Sequence, residues 1–362
     1  MNKIQWISMI LFLLASCGTN DKKNDTAAGT SDTASTRFLV KRGTNIAHWL
    51  SQSERRGEER ARFFTEADIR FIDSAGFDHI RLPVDEMQLW DSTGRRFEDA
   101  LQLLENCMSW CNKANLKVIL DLHILRSHHF NEKRRPLWTD PKAQDHFIQL
   151  WKDLSIHVRK WPNTMVAYEF MNEPVADSAE EWNRLLSRVA DSIRSWEPKR
   201  TLVIGSNKWQ SAKTFDELRI PPNDPNILLS FHFYEPFHLT HFQAPWTDLK
   251  DFKGKVQYPG QVVVDGKTEE EKMVYNKDTL QAMMAKPIHL ADSLHLPLYC
   301  GEFGVIENSP RDSKMRWYRD MVAIFDKNGI AYANWNYKSG SFGVVDENIV
   351  PDTTMLKILT GK

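Results

Sequence analysis

The chain is short of cysteine: four in 362 residues, with no CxxC pair and no spacing suited to zinc, so a disulfide scaffold and a zinc module are both excluded. It also lacks an excess of either charge. Its 47 Lys and Arg stand against 48 Asp and Glu without long blocks, which gives no basic footprint for nucleic acid and no acidic tail. No GxGxxG or GxxxxGK[ST] follows the first predicted strand, where Gly43-Thr44-Asn45-Ile46 stands instead, and the dinucleotide and phosphate-loop readings lose their main support. There is no HExxH, and the first strand ends in Asn45-Ile46-Ala47-His48 rather than in the His-x-His of metal-dependent hydrolase barrels. Neither a catalytic metal nor a cofactor is expected. The apolar stretch Ile7 to Ala15 is too short for a permanent membrane helix, and no residue pattern repeats along the chain.

What is present is a rich aromatic supply, 13 Trp, 19 Phe and 8 Tyr, in a chain of low mean hydropathy, so some rings are expected at a surface or cleft, where sugar faces are natural partners. From Phe38 onward short apolar runs alternate with longer segments of helical period. The runs are Leu39 to Ile46, His79 to Val84, Lys117 to His123, Met165 to Met171, Thr201 to Ser206, Asn226 to Phe233, Pro297 to Gly301 and Ile330 to Trp335. Helices are predicted at Thr65 to Ala75, Glu98 to Ala114, Lys142 to Lys160, Ala179 to Trp196, Ser211 to Leu218, Lys277 to Leu294, Ser313 to Asn328 and Asp352 to Leu359. Eight βα units without a composition shift predict an α/β fold, a (β/α)8 TIM barrel forming a single catalytic domain over residues 37–362.

Chemistry in such a barrel sits at the C-terminal strand ends, and here those ends are polar: Arg81, His123, Asn172, Glu173, His232, Tyr234, Glu302 and Trp335. Glu173 and Glu302 end the fourth and seventh strands, on opposite sides of the mouth, where two carboxyls can flank one glycosidic bond. The motifs His-Ile-Arg81-Leu-Pro-Val, Ile-Leu-Asp-Leu-His123, Asn172-Glu173-Pro174, His232-Phe233-Tyr234, Gly-Glu302-Phe-Gly and Trp335 together resemble the active-site set of glycoside hydrolase family 5, the cellulase-like retaining β-glycanases. The resemblance implies Glu173 as acid/base and Glu302 as nucleophile. It also implies Asn172 on the substrate 2-hydroxyl, Arg81 and Tyr234 steadying Glu302, His123 and His232 lining the sugar subsite, and Trp335 as its floor, with a cis peptide bond after it.

The implied function is retaining hydrolysis of a β-1,4-linked glucan or hemicellulose, a polysaccharide or oligosaccharide being the partner. The alternatives are an exo-acting β-glycosidase or β-mannosidase of the same family, and a lipid-anchored glycan-binding protein that hydrolyses nothing. Asp121, on the strand face of His123, is expected to support that histidine, while Glu169, Glu235 and Glu307 are decoys. Trp49, Trp90, Trp138, Trp209, Phe237 and Trp246 follow strands and are expected on the mouth side, several as sugar platforms; Trp110, Trp151, Trp182 and Trp317 on helices are expected in the core. The basic run Arg126 to Arg135 is expected to be a solvated loop. Between Glu235 and Asn276 lies a connection far longer than a usual βα loop; its aromatic first half is expected to wall the cleft and its polar part, Gly260 to Lys272, to form an exposed excursion.

The N-terminus has its own signature. Lys3, the apolar stretch and Leu14-Ala15-Ser16-Cys17-Gly18 resemble a bacterial lipoprotein signal over residues 1–16, with cleavage before Cys17 and lipid on its thiol. Residues 17–36 hold no large apolar side chain and read as a flexible lipidated tether. Gly18 resembles outer-membrane sorting, so the expected location is the outer membrane, facing the periplasm or the cell surface. Cys107, Cys111 and Cys300 are expected to be buried small hydrophobes.

Overall fold

The computed structural model describes residues 37–263 and 273–362. The expected signal segment, Cys17, the tether and most of the polar Gly260 to Lys272 stretch lie outside the described residues.

Eight parallel strands close a barrel: β1 (Arg42–Asn45), β2 (His79–Val84), β3 (Lys117–Leu122), β4 (Val166–Glu169), β5 (Thr201–Gly205), β6 (Ile227–Phe233), β7 (Leu298–Phe303) and β8 (Ala331–Asn334), with β8 pairing back onto β1. Strands covered on both faces must be apolar throughout, and these are buried almost end to end. Side chains alternate. On β3, Val118, Leu120 and Leu122 join the outer cluster under the helices, while Ile119 joins Phe38, Ala167, Val203, Leu228, Tyr299, Ala331 and Ala333 in a separate inner cluster that fills the barrel floor. One step further along β3, β4 and β6, the same inward face presents Asp121, Glu169 and Ser230, so polar side chains enter the layer beneath the mouth. Space is tight enough that a Cβ on Gly43 would lie 2.4 Å from the His79 ring.

The helices follow the apolar period with small differences. Ala179–Trp196 carries a capping box from Ser178 to Glu181, and Pro141–Val158 is capped by Asp140. The predicted Lys277 to Leu294 helix is broken into Lys277–Met283 and Ala285–Leu294, because Pro287 has no N–H to give the Met283 carbonyl. Ser211 to Leu218 is a 3-10 turn, Ala212–Glu217, rather than an α-helix. A short helix, Gly57–Phe63, follows β1 where none was expected; only Arg60 of it is buried, so it has no apolar stripe to read.

The long connection after β6 is more ordered than its composition indicates. It forms a three-stranded antiparallel sheet of Lys255–Val256, Gly260–Val263 and Val274–Tyr275, so the polar stretch begins within a strand. Buried Tyr258 ties the sheet to the helix Arg311–Asn328, its N–H donating to Ser313 Oγ at 3.0 Å and its hydroxyl to Asp320 at 2.7 Å.

Candidate active site

Everything polar at the mouth converges on Arg81. Its side chain is fully buried and its guanidinium touches five acceptor side chains: Glu169 through Nε (2.7 Å) and Nη2 (3.0 Å), Asn172 at 2.8 Å, Asp121 at 3.0 Å, Asn45 at 2.9 Å and Glu302 Oε1 at 2.8 Å. Arg81 therefore lies under the cleft and reaches it only through its partners; it does not touch the space a sugar would fill. The second oxygen of Glu302 accepts the Tyr234 hydroxyl at 3.0 Å. Burial pushes the Glu302 carboxyl up, and the Arg81 charge and the Tyr234 hydrogen bond pull it back.

Glu173 has no such support. It follows β4 in the left-handed region at φ 45, an uncommon conformation for a residue before proline, and its carbonyl accepts from His128 Nε2 at 3.2 Å. Its Oε1 lies 2.9 Å from His232 Nδ1, which is also 3.7 Å from Glu302 Oε2. Burial first, and the neighbouring Glu302 charge second, hold its carboxyl well above the usual range. Both acids are raised by burial, but their charged neighbours differ: the Glu302 charge raises Glu173 further, whereas Glu302 faces the fixed cation of Arg81.

His123 donates Nδ1–H to Asp121 at 2.6 Å, and burial lowers its pKa to about 4, so the ring is neutral. The same burial pushes Asp121 up to about 7 against the pull of Arg81. The His123 ring stacks on Trp335 with centroids 5.7 Å apart and 7° between planes, and the Trp335-Asn336 peptide bond is cis. His123, Asn172, Glu173, His232, Tyr234, Glu302 and Trp335 all line one cleft of about 790 Å³. Seven of the eight residues read from the sequence thus share its wall, and Arg81 sits beneath them.

Ligand-type atoms of Glu173, His232 and Glu302 lie within 4.8 Å of one another. Both oxygens of Glu302 already accept hydrogen bonds, from Arg81 and Tyr234, and Glu173 Oε1 lies against His232 Nδ1.

The aromatic expectations divide. Trp209, Phe237 and Trp246 line the cleft and are 46%, 43% and 54% exposed. Trp49 and Trp90 are not platforms: the loops after β1 and β2 fold inward and bury both, with indole N–H bonds to the Arg60 carbonyl (2.9 Å) and Asp153 (2.7 Å). Trp138 packs edge-on against Trp182 and His128. Trp151, Trp182 and Trp317 are core, as expected, and Trp110 packs against it. The basic loop is also less free than its charge pattern indicates, since Arg126 pairs with Glu86 at 2.8 Å and Arg135 donates to the Val175 carbonyl at 2.6 Å. The three described cysteines are free and buried.

Sequence reading missed Asn45 and Gln210 and set Glu169 aside. Asn45 bridges Arg81 to the Gly301 carbonyl (2.9 Å), and Gln210 donates to Glu169 at 2.7 Å. Strand alternation from Ile119 and Ala167 was the available signal for Asp121 and Glu169; Gln210 carried none, because it sits in a left-handed turn of Lys208, Trp209 and Gln210.

The family model described as cellulase (glycosyl hydrolase family 5) matches residues 40–341. Endoglucanase C of Acetivibrio thermocellus is 33% identical over 333 residues, covering 86% of this chain and 95% of that protein. Cellodextrinase A of Ruminococcus flavefaciens is 29% identical over 300 residues, covering 82% and 84%. Among solved structures, an endoglucanase from Thermotoga maritima shares the fold at a TM-score of 0.74 and 23% identity, over 88% of this chain and 96% of that one. With the family match running from the first strand to past the last, the chain belongs to glycosyl hydrolase family 5 and is a glycoside hydrolase.

Proposed function

We propose that the enzyme hydrolyses a β-1,4-linked glucan or a related hemicellulose with retention of configuration, Glu302 acting as nucleophile and Glu173 as acid, then base. The observation that carries this reading is the closeness of the two carboxyls, whose nearest paired oxygens lie within 4.8 Å. Retaining glycosidases hold these groups about 5 to 5.5 Å apart, whereas inverting ones leave about 6.5 to 9.5 Å for a water. Glu302, ionised beside Arg81, attacks the anomeric carbon while the carboxylic acid of Glu173 protonates the departing oxygen. The C–O bond to the leaving sugar breaks as the bond to Glu302 forms. Glu173, now a carboxylate, takes a proton from the water that releases the sugar. Trp335 and His123 present a flat stacked surface for the sugar ring, and Asn172, its Oδ1 held by Arg81, is placed for the 2-hydroxyl.

The substrate class rests on Endoglucanase C matching over most of both chains; Cellodextrinase A, by its name, favours short oligosaccharides as a second reading. Incubation with a panel of glucans, mannans, xylan and cellodextrins, with product lengths followed over time, tests both. Mixed-length early products from a β-1,4-glucan support the first, and cleavage of cellodextrins alone supports the second. Turnover of neither overturns the substrate assignment. The same proposal places the enzyme on the outer membrane through lipid at Cys17, which radiolabelled fatty acid incorporation tests; equal labelling of Cys17→Ala contradicts it.

A further inference from the structure

Trp209 is 46% exposed at the cleft, and no described residue gives its indole a hydrogen bond or a ring contact. The indoles of Trp49, Trp90, Trp151, Trp182 and Trp317, by contrast, are buried and donate to protein acceptors. Packing does not explain the ring.

The backbone that carries it has an uncommon shape. Lys208, Trp209 and Gln210 are three successive non-glycine residues in the left-handed region, at φ 57, 63 and 51, a conformation that persists only where the surroundings impose it. Most of the bonds that impose it run to the segment just after Glu173. The Trp209 N–H donates to the Pro174 carbonyl at 3.2 Å, and Lys208 Nζ to the Ala176 carbonyl at 2.7 Å. Asn207 accepts the Ala176 N–H at 2.9 Å and donates its own amide to the Ala176 carbonyl at 3.1 Å. Gln210 closes the turn on Glu169 at 2.7 Å. The turn is thus fixed relative to Glu173.

Its place round the barrel decides which sugar the ring meets. The turn follows β5, which pairs with β4 on the acid's side, whereas Trp335 follows β8, three strands further round. Trp335 and His123 face the sugar that Glu302 attacks, and the departing sugar must bring its oxygen to Glu173. A ring tied to Pro174 and Ala176 lies on that departing side. Stacking the apolar face of a sugar on it would remove exposed aromatic surface from water.

We propose that Trp209 is a specificity-determining platform for the sugar on the leaving side of the cleavage point, held in register with Glu173 by the left-handed turn. This rests on the reading of Glu173 as acid and Glu302 as nucleophile. Once the first sugar has left, the same platform seats an incoming acceptor. A hydroxyl oxygen of the acceptor bonds to the anomeric carbon, the ester bond to Glu302 breaks, and the hydroxyl proton passes to Glu173.

Trp209→Ala removes the ring but keeps the N–H that bonds Pro174, and Trp209→Phe keeps a smaller ring. Each is assayed on β-cellobiosyl fluoride, which carries no ring on the leaving side, and on cellotetraose, whose departing half is a sugar. In Trp209→Ala the loss of kcat/KM on cellotetraose exceeds that on the fluoride by at least about tenfold, with Trp209→Phe in between and Tm unchanged. Equal losses on the two substrates, or none on either, overturn the proposal. Acceptor transfer supplies the second readout. Wild type trapped with a 2-deoxy-2-fluoro-cellobiosyl group on Glu302 is freed faster when cellobiose is added, and Trp209→Ala loses that acceleration; no acceleration in the wild type, or the same in both proteins, also overturns it. If the wild type cleaves neither substrate, the β-1,4-glucan assignment fails, and the comparison is made with the fluoride and tetrasaccharide of the glycan that the substrate panel selects. If no ester forms on Glu302, the reading of the two acids fails, while the first comparison still decides the role of Trp209.

Discussion

Arg81→Met keeps a long side chain at the centre of the site and removes its charge. The guanidinium has no exposure and is the cation shared by Asp121, Glu169 and Glu302, with contacts of 3.0, 2.7 and 2.8 Å. Removing one partner of a buried ion pair costs about 3–5 kcal/mol, because the other charge stays desolvated. Here three carboxylates are left, against a typical total stability of about 5–15 kcal/mol. The acids escape by taking up protons, so burial without the cation pushes all three further up. A native state that binds more protons than the unfolded chain loses stability as pH rises, since the slope follows the difference in bound protons. The wild type has the same sign, because Asp121, Glu169, Glu173 and Glu302 are all raised, but Arg81 limits it. Urea unfolding of wild type, Arg81→Lys and Arg81→Met at about pH 4.5 and about pH 7.5 is therefore expected to show a gap that widens with pH, the lysine variant lying between. The acidic limb of kcat/KM should move to higher pH in Arg81→Met, since its nucleophile must lose a proton that no cation helps to remove. A variant within about 1 kcal/mol of wild type at both pH values, or a gap that does not grow with pH, would refute the reasoning.

Three further outcomes are expected. Glu173→Ala should retain far more activity on a dinitrophenyl than on a phenyl glycoside, a difference of about 100-fold or more; equal losses would contradict its role as acid. Trp246→Ala, which removes an exposed ring at the cleft, should change KM or the pattern of oligosaccharide products without lowering Tm, and unchanged kinetics on the polymer would mean that the insertion does not wall the subsites. Lys338→Met should lower stability by about 3–5 kcal/mol and raise KM, because the buried Lys338–Asp68 pair at 2.6 Å pins the segment that follows Trp335; an unchanged Tm would contradict this.

The barrel was legible because eight short apolar runs alternate with longer segments of helical period, and most of the runs carry a polar residue at or near their end. The residues that line the cleft were legible for the same reason: Glu173, His232 and Glu302 stand just where the runs stop. Pairings across the barrel were not. That Arg81 serves Asp121, Glu169 and Asn45 as well as Glu302 follows from the closure of the sheet, which brings residues dozens of positions apart onto one axis. The loop tryptophans show a second limit. Trp49 and Trp246 occupy similar places after a strand, yet one is buried and the other exposed, and only the path of the loop decides this. Pro287 is a break written in the sequence, and the single helix expected over Lys277 to Leu294 did not take it into account.

The most direct test of the central claim is to identify the residue that becomes covalently bonded to the sugar. A 2,4-dinitrophenyl 2-deoxy-2-fluoro-β-cellobioside slows both displacement steps but leaves with a good leaving group, so a retaining enzyme accumulates as its glycosyl ester. Mass spectrometry of the proteolysed adduct should find the fluorosugar on Glu302. A label on Glu173, or no adduct together with a product of inverted configuration, would contradict the account.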